Sequence, residues 1–91
     1  MKVVVFNVEG IWFYKIKSGE KKHEYRLAKP YWESRLRDAD VAEFRLGYPT
    51  NTDTDKIMGF DIAGITKING KNTDLAVDAE VFDIKLGKRL W

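Results

Sequence analysis

At 91 residues, with 44% hydrophobic and 33% charged side chains and only two prolines, the chain has the size and composition of one folded domain, 1–91, rather than of a disordered tail. The absence of cysteine excludes disulfides, thiolate zinc sites and a cysteine nucleophile, and fits a reducing compartment. A formal charge of +2 is too small by itself to assign a nucleic-acid partner, so the distribution of charge along the chain matters more than its sum.

The first segment, Lys2–Val8, reads as a strand because three consecutive valines, Phe6 and Val8 are β-branched or aromatic. Its near-continuous apolar character predicts a central place in the sheet. The opening "MKVVVFNVEG" is too short and too polar for a signal peptide or a membrane span, which makes cytoplasmic the expected location. "GIWFYKIKSG" carries apolar residues at 12, 13 and 16, lysines at 15 and 17, and Gly19 beyond them, the signature of a short helix with a favourable C-terminal end.

Lys22–Leu27 alternates as a strand does, and Pro30 ends it by removing a ladder donor. A second short helix is predicted at Tyr31–Arg37. Val41–Leu46 and Ile57–Ile68 are further strands, separated by the loop "GYPTNTDTDK" with its turn formers Gly47, Pro49 and Asn51. "NTDTDK" resembles the start of a calcium loop, yet counting from Asn51 puts Lys56 where Gly is needed and Ile62 where a bidentate Glu is needed. Asn69-Gly70 signals a hairpin or, through Asp78, a longer loop. Glu80–Leu86 supplies the last strand. The order β, α, β, α, β, β, β predicts an α+β fold, a small β-barrel with two short flanking helices, with a flat α+β sandwich as the alternative.

Charge is unevenly placed. From Lys15 to Arg37 eight Lys or Arg stand against three Glu, whereas from Asp38 to Asp83 ten acids stand against four bases. On a strand, Lys22, Glu24 and Arg26 share one face and His23, Tyr25 and Leu27 the other. Lys21 breaks this parity and can join Glu24 only from the turn that Gly19 starts. The plain reading is a set of solvated, mutually paired charges. Asp61 shares parity with Ile57, Ala63 and Ile65, so a core-facing strand would put a carboxylate among aliphatic side chains unless it emerges at a rim or pairs with Lys21 or Arg26. His23 has no second His, no Cys and no serine motif around it, so neither a metal site nor a catalytic triad is expected. No phosphate-binding loop or dinucleotide fingerprint occurs, and no cofactor is expected.

The run "KSGEKKHEYR", a small residue followed by Gly19, Lys21, Glu24 and Arg26 at fixed spacing, resembles the signature of ASCH domains, members of the PUA-like superfamily. "LAKPYWESRL", "EFRLGYP" and "MGFDIAGI" are similar to the rest of such a domain, so the resemblance spans Lys2 to Ile68. It implies a PUA-like barrel in which the signature lines a cleft that binds RNA or a modified nucleobase. Some relatives are enzymes, either amidohydrolases of N4-acylated cytidine or ribonucleases. In the amidohydrolase branch a Lys, a Thr and a Glu act; Lys21 matches the Lys, Asp61 stands near the Glu, and Glu24 occupies the Thr position. A glutamate has no hydroxyl with which to form an acyl intermediate, so a hydrolase built here would use Glu24 as a base on water.

The residues point to binding independently of that resemblance. Trp12, Phe13, Tyr14, Tyr25, Tyr31 and Trp32 are interleaved with the basic segment, and stacking aromatics with phosphate-neutralising cations hold single-stranded nucleic acid. The expected contacts are Lys21, Lys22, Arg26, Lys29 and Arg35 to phosphate or base acceptors, Glu24 to a base amine, and Tyr31 and Trp32 as a stacking wall. The alternatives are a hydrolase using Lys21, Glu24 and Asp61, and a protein-interaction module using the Arg-rich helix Tyr31–Arg37. The expected partner is RNA, a nucleotide or a nucleoside, without a metal or a membrane.

Overall fold

The computed structural model describes residues 1–49 and 52–91, and the turn expected at Asn51 lies outside them. Strand β1 (Val3–Val8) leads into helix α1 (Gly10–Ser18), strand β2 (His23–Leu27), helix α2 (Pro30–Leu36) and strands β3 (Val41–Leu46), β4 (Ile57–Asn69) and β5 (Glu80–Arg89). Single 3-10 turns at Thr54–Lys56 and Gly70–Asn72 precede and follow β4. Gly19 ends α1 because its φ of 85° lies in the left-handed region, and its amide returns to the Ile16 carbonyl at 3.1 Å. Pro30 starts α2 at its first position, where a missing N–H loses nothing.

The five strands form one sheet in the order β1-β3-β4-β5-β2, curled into a half-barrel. β1 runs parallel to β3, and the other neighbours are antiparallel. The two edges are therefore β1 and β2, which corrects the central place predicted for β1. Val4, Phe6 and Val8 face the core, while Val3 and Val5 are each 39% exposed on the other side. A valine run satisfies the pleat without needing burial on both faces.

The concave face holds the core. Val4 and Phe6 of β1, Phe44 of β3, Met58 of β4 and Ile84 of β5 pack there with Phe13 and Ile16 of α1 and Leu36 of α2. Where β1 and β2 do not pair, side chains fill the gap. Trp32 of α2 stacks on Phe6 at 5.3 Å, and the Arg26 guanidinium lies 5.0 Å from the Phe6 ring and 4.9 Å from the Trp32 ring. Trp32 is thus a wedge in the half-barrel.

The register of β4 shifts between Phe60 and Ile62 and again between Ile62 and Gly64. Before the shifts Met58 and Phe60 face the core; after them Ile65 does. A bulge adds a residue to one strand and so resets which parity faces inward. Asp61 consequently points to the outer side, exposed and opposite Val41 of β3. The shared parity of Asp61 with Ile65, read from an unbroken strand, does not survive the bulge.

Leu90 and Trp91 return to the same sheet. The Leu90 amide donates to the Gly59 carbonyl at 2.7 Å and the Gly59 amide to the Trp91 carbonyl at 2.9 Å, while the Trp91 indole donates to Glu43 at 3.2 Å. No helix among the described residues is long and apolar enough to cross a membrane.

Candidate functional site

Glu24 and Arg26 project from β2 on the side of its cross-strand partners Ile84 and Phe82, so strand parity aims both toward the concave face. There the core ends and the open side of the half-barrel begins. Glu24 is the one charged residue among those described that is buried, at 6% exposure. Its carboxylate accepts from the Tyr25 amide at 3.0 Å and from Arg26 at 3.2 Å, and the Lys21 ammonium lies 3.4 Å away. A buried carboxylate is tolerable only with partners of this kind.

Lys21 sits in the turn that Gly19 opens, with its amide donating to the Lys15 carbonyl at 3.0 Å. The second edge of β2 is unpaired, and an ammonium in the preceding turn reaches side chains from both faces of the strand. It pairs with Glu24 on one side and lies 5.0 Å from the ring of Tyr25, which belongs to the other parity. It also lies 5.3 Å from the Trp12 ring and pairs with the Asp74 carboxylate. The Lys21 side chain is only 8% exposed.

Asp74 comes from the loop between β4 and β5. That loop is braced at its base by the Asn69 amide donating to Asp78 at 2.9 Å, and by the Thr73 hydroxyl donating to the Gly70 carbonyl at 2.8 Å. It carries Asp74 to a lysine 53 positions earlier in the chain. Sequence reasoning passed over Asp74. Its one local signal is the long connection through Asp78, which does not say where the loop tip lands.

Two adjoining cavities flank this cluster. One, of about 300 Å3, is lined by Lys15, Glu20, Lys21, Lys22 and His23 with Trp12, Tyr25 and Asp74. The other, of about 210 Å3, is lined by Asn7, Val8, Glu9, Glu24, Arg26 and Leu75, again with Trp12, Tyr25 and Asp74. Trp12 and Tyr25 are walls common to both, and the Lys21–Asp74 pair stands where they meet. Lys15 lies 5.4 Å from the Trp12 ring. His23 bonds Asp83 through Nδ1 at 2.6 Å and stacks with Tyr25 at 6.2 Å. Burial first, then the carboxylates of Asp83, Asp74 and Glu24, push the Tyr25 hydroxyl above its ordinary 10.0.

The structure brings together Lys21, Glu24 and Arg26, with Lys22 at the rim, and leaves other expected residues elsewhere. Asp61 lines neither cavity, and the carboxylate partners of Lys21 and Arg26 are Glu24 and Asp74. Trp32, partly buried, packs against the core and lines neither cavity, whereas Trp12 and Tyr25 line both. Tyr31, 57% exposed, and Arg35, whose guanidinium lies 4.1 Å from the Tyr31 ring, line a separate groove along β1 with Lys2 and Asn7. Lys29 is exposed at the start of α2 and lines neither cavity. Among the described residues no group of three or more His, Asp or Glu side chains is placed to hold a metal. No family model and no curated protein matches the chain.

Proposed function

We propose that the cleft recognises a nucleotide or modified base, in RNA or free, and that the chain is an ASCH-type, PUA-like domain. The observation that carries this reading is the buried Glu24, held between Lys21 and Arg26 at the floor of an open cleft walled by Trp12 and Tyr25. An aromatic face stacks a planar ring, a carboxylate accepts from an exocyclic amine, and a guanidinium beside it donates to a ring nitrogen or carbonyl. Asn7 lines both the smaller cavity and the Tyr31–Arg35 groove, so a strand with one base in the cleft has a second aromatic and cationic surface beside it.

Titration of short single-stranded RNAs and modified nucleosides tests the reading. Lys21→Ala and Arg26→Ala should each weaken binding, and Lys21→Ala should flatten the salt dependence of strand binding by about one phosphate contact. Affinity and salt slope unchanged in both variants would remove the cleft from recognition.

A hydrolytic reading rests on the same pair, since an ammonium 3.4 Å from a carboxylate in an open cleft can stabilise charge while the carboxylate takes a proton from water. Asp61 lines neither cavity, so the second carboxylate of the hydrolytic reading is not at hand, and binding without turnover is the better supported. Release of cytidine from N4-acetylcytidine, or cleavage of RNA, lost in Glu24→Gln, would reverse that order.

A further inference from the structure

Asp74 occupies an unusual position for a structural ion-pair partner. It is the loop residue of the cluster, its side chain is 34% exposed, and among the described residues its one ion pair is with Lys21. Glu24, by contrast, is held on β2 by two hydrogen bonds and the Lys21 ion pair. With Asp74 in place, the charges of Lys21, Arg26, Glu24 and Asp74 cancel; with Asp74 withdrawn, the cluster carries one uncompensated positive charge. That charge faces the larger cavity, where Lys15 and Lys22 stand against Glu20.

Building on the nucleotide-recognition reading, we infer that Asp74 holds on Lys21 the place of a ligand phosphate, and that the cleft selects nucleotides bearing a terminal phosphomonoester. A phosphodiester brings one negative charge, so exchanging it for the Asp74 carboxylate gains no charge while detaching the loop. A monoester brings about −1.5 to −2 at neutral pH and three acceptor oxygens. Those oxygens meet Lys21 together with Lys15 and Lys22, as multiple charge-assisted bonds require. The base then occupies the smaller cavity, beside Trp12 and Tyr25 and against Glu24 and Arg26. Because Trp12, Tyr25 and Asp74 border both cavities, base and phosphate of a single nucleotide span them.

Calorimetric titration of wild type, Asp74→Asn and Lys21→Met tests this with ribonucleoside 5′-monophosphates, the matching nucleosides, and a single-stranded pentaribonucleotide with or without a 5′-phosphate. Phosphorylated ligands should bind wild type about tenfold more tightly than their unphosphorylated counterparts. Asp74→Asn, a near-isosteric change on an exposed loop, should bind the hydroxyl-ended strand about three- to tenfold more tightly than wild type does. Lys21→Met should erase the phosphate preference. Binding of mononucleotides alone assigns the phosphate to a free nucleotide, and binding of the phosphorylated strand alone assigns it to a strand end. Equal affinity of wild type for phosphorylated and unphosphorylated ligands, or no gain in Asp74→Asn, overturns the inference and leaves nucleotide recognition standing. No binding of any ligand by any of the three proteins overturns both.

Discussion

The Glu24 carboxylate is buried with a cation on either side, so its loss strands Arg26 and leaves Lys21 with Asp74 alone. Glu24→Gln keeps the shape but removes the counter-charge, and should lower unfolding stability by about 1–3 kcal/mol in urea titration. Lys21→Met with Glu24→Gln should lose less than the two single changes added together, because the second change removes a charge that the first left unpaired. Strict additivity in that cycle would show that the pair does not interact. Tyr25 adds a pH signature. With its hydroxyl pushed above 10.0 in the fold, the unfolded chain releases the phenolic proton first, and stability falls as pH rises from that value through the folded one. Urea midpoints measured from about pH 9 to 11 should fall less steeply in Tyr25→Phe than in wild type. At this scale the cluster was legible: Glu24 and Arg26 share one face of β2, and the turn that Gly19 opens lets Lys21 reach Glu24. Asp74 was not, because a residue 53 positions away enters the site through a loop whose path no local pattern encodes.

Elements formed where hydrophobic period and turn residues agreed. Gly19 closed α1, Pro30 opened α2, and the apolar residues 13 and 16 turned inward. What could not be read was how each strand met its neighbours. The β4 bulges moved the inward face from Phe60 to Ile65 and carried Asp61 outward, although nothing in "MGFDIAGI" beyond two glycines marks a break in parity. Gly59 shows a related dependence. A Cβ there would lie 2.2 Å from the Trp91 ring, so the strand accommodates the terminal indole only because it has no side chain at that point. Gly59→Ala should displace Trp91, lower stability by about 1–3 kcal/mol and change the indole fluorescence; an unchanged melting curve and spectrum would mean that Trp91 is not seated on β4.

At the scale of the whole molecule the site exists because the barrel is left open. β1 and β2 are unpaired edges facing a shared gap, which Trp32 wedges against Phe6 and Arg26 while Trp12 and Tyr25 wall the cleft. Trp32→Ala should therefore do two things: lower stability by about 2–4 kcal/mol through the lost packing, and weaken ligand binding by releasing Arg26. Hydrogen exchange should quicken in β1 and β2 more than in β3 and β4. A uniform change across all strands would mean that the wedge is not what holds the edges.

From its sequence alone this protein had its element order, its α+β class, the end of α1 at Gly19 and the Lys21, Glu24 and Arg26 cluster, because period, turn residues and short spacings are local physics. Tertiary structure decided the edge position of β1, the outward turn of Asp61, the core role of Trp32, the aromatic walls at Trp12 and Tyr25, and the arrival of Asp74. Each of these depends on strand order, register or loop path, and those are set by which surfaces bury best against one another across the folded chain, a competition that no single segment contains.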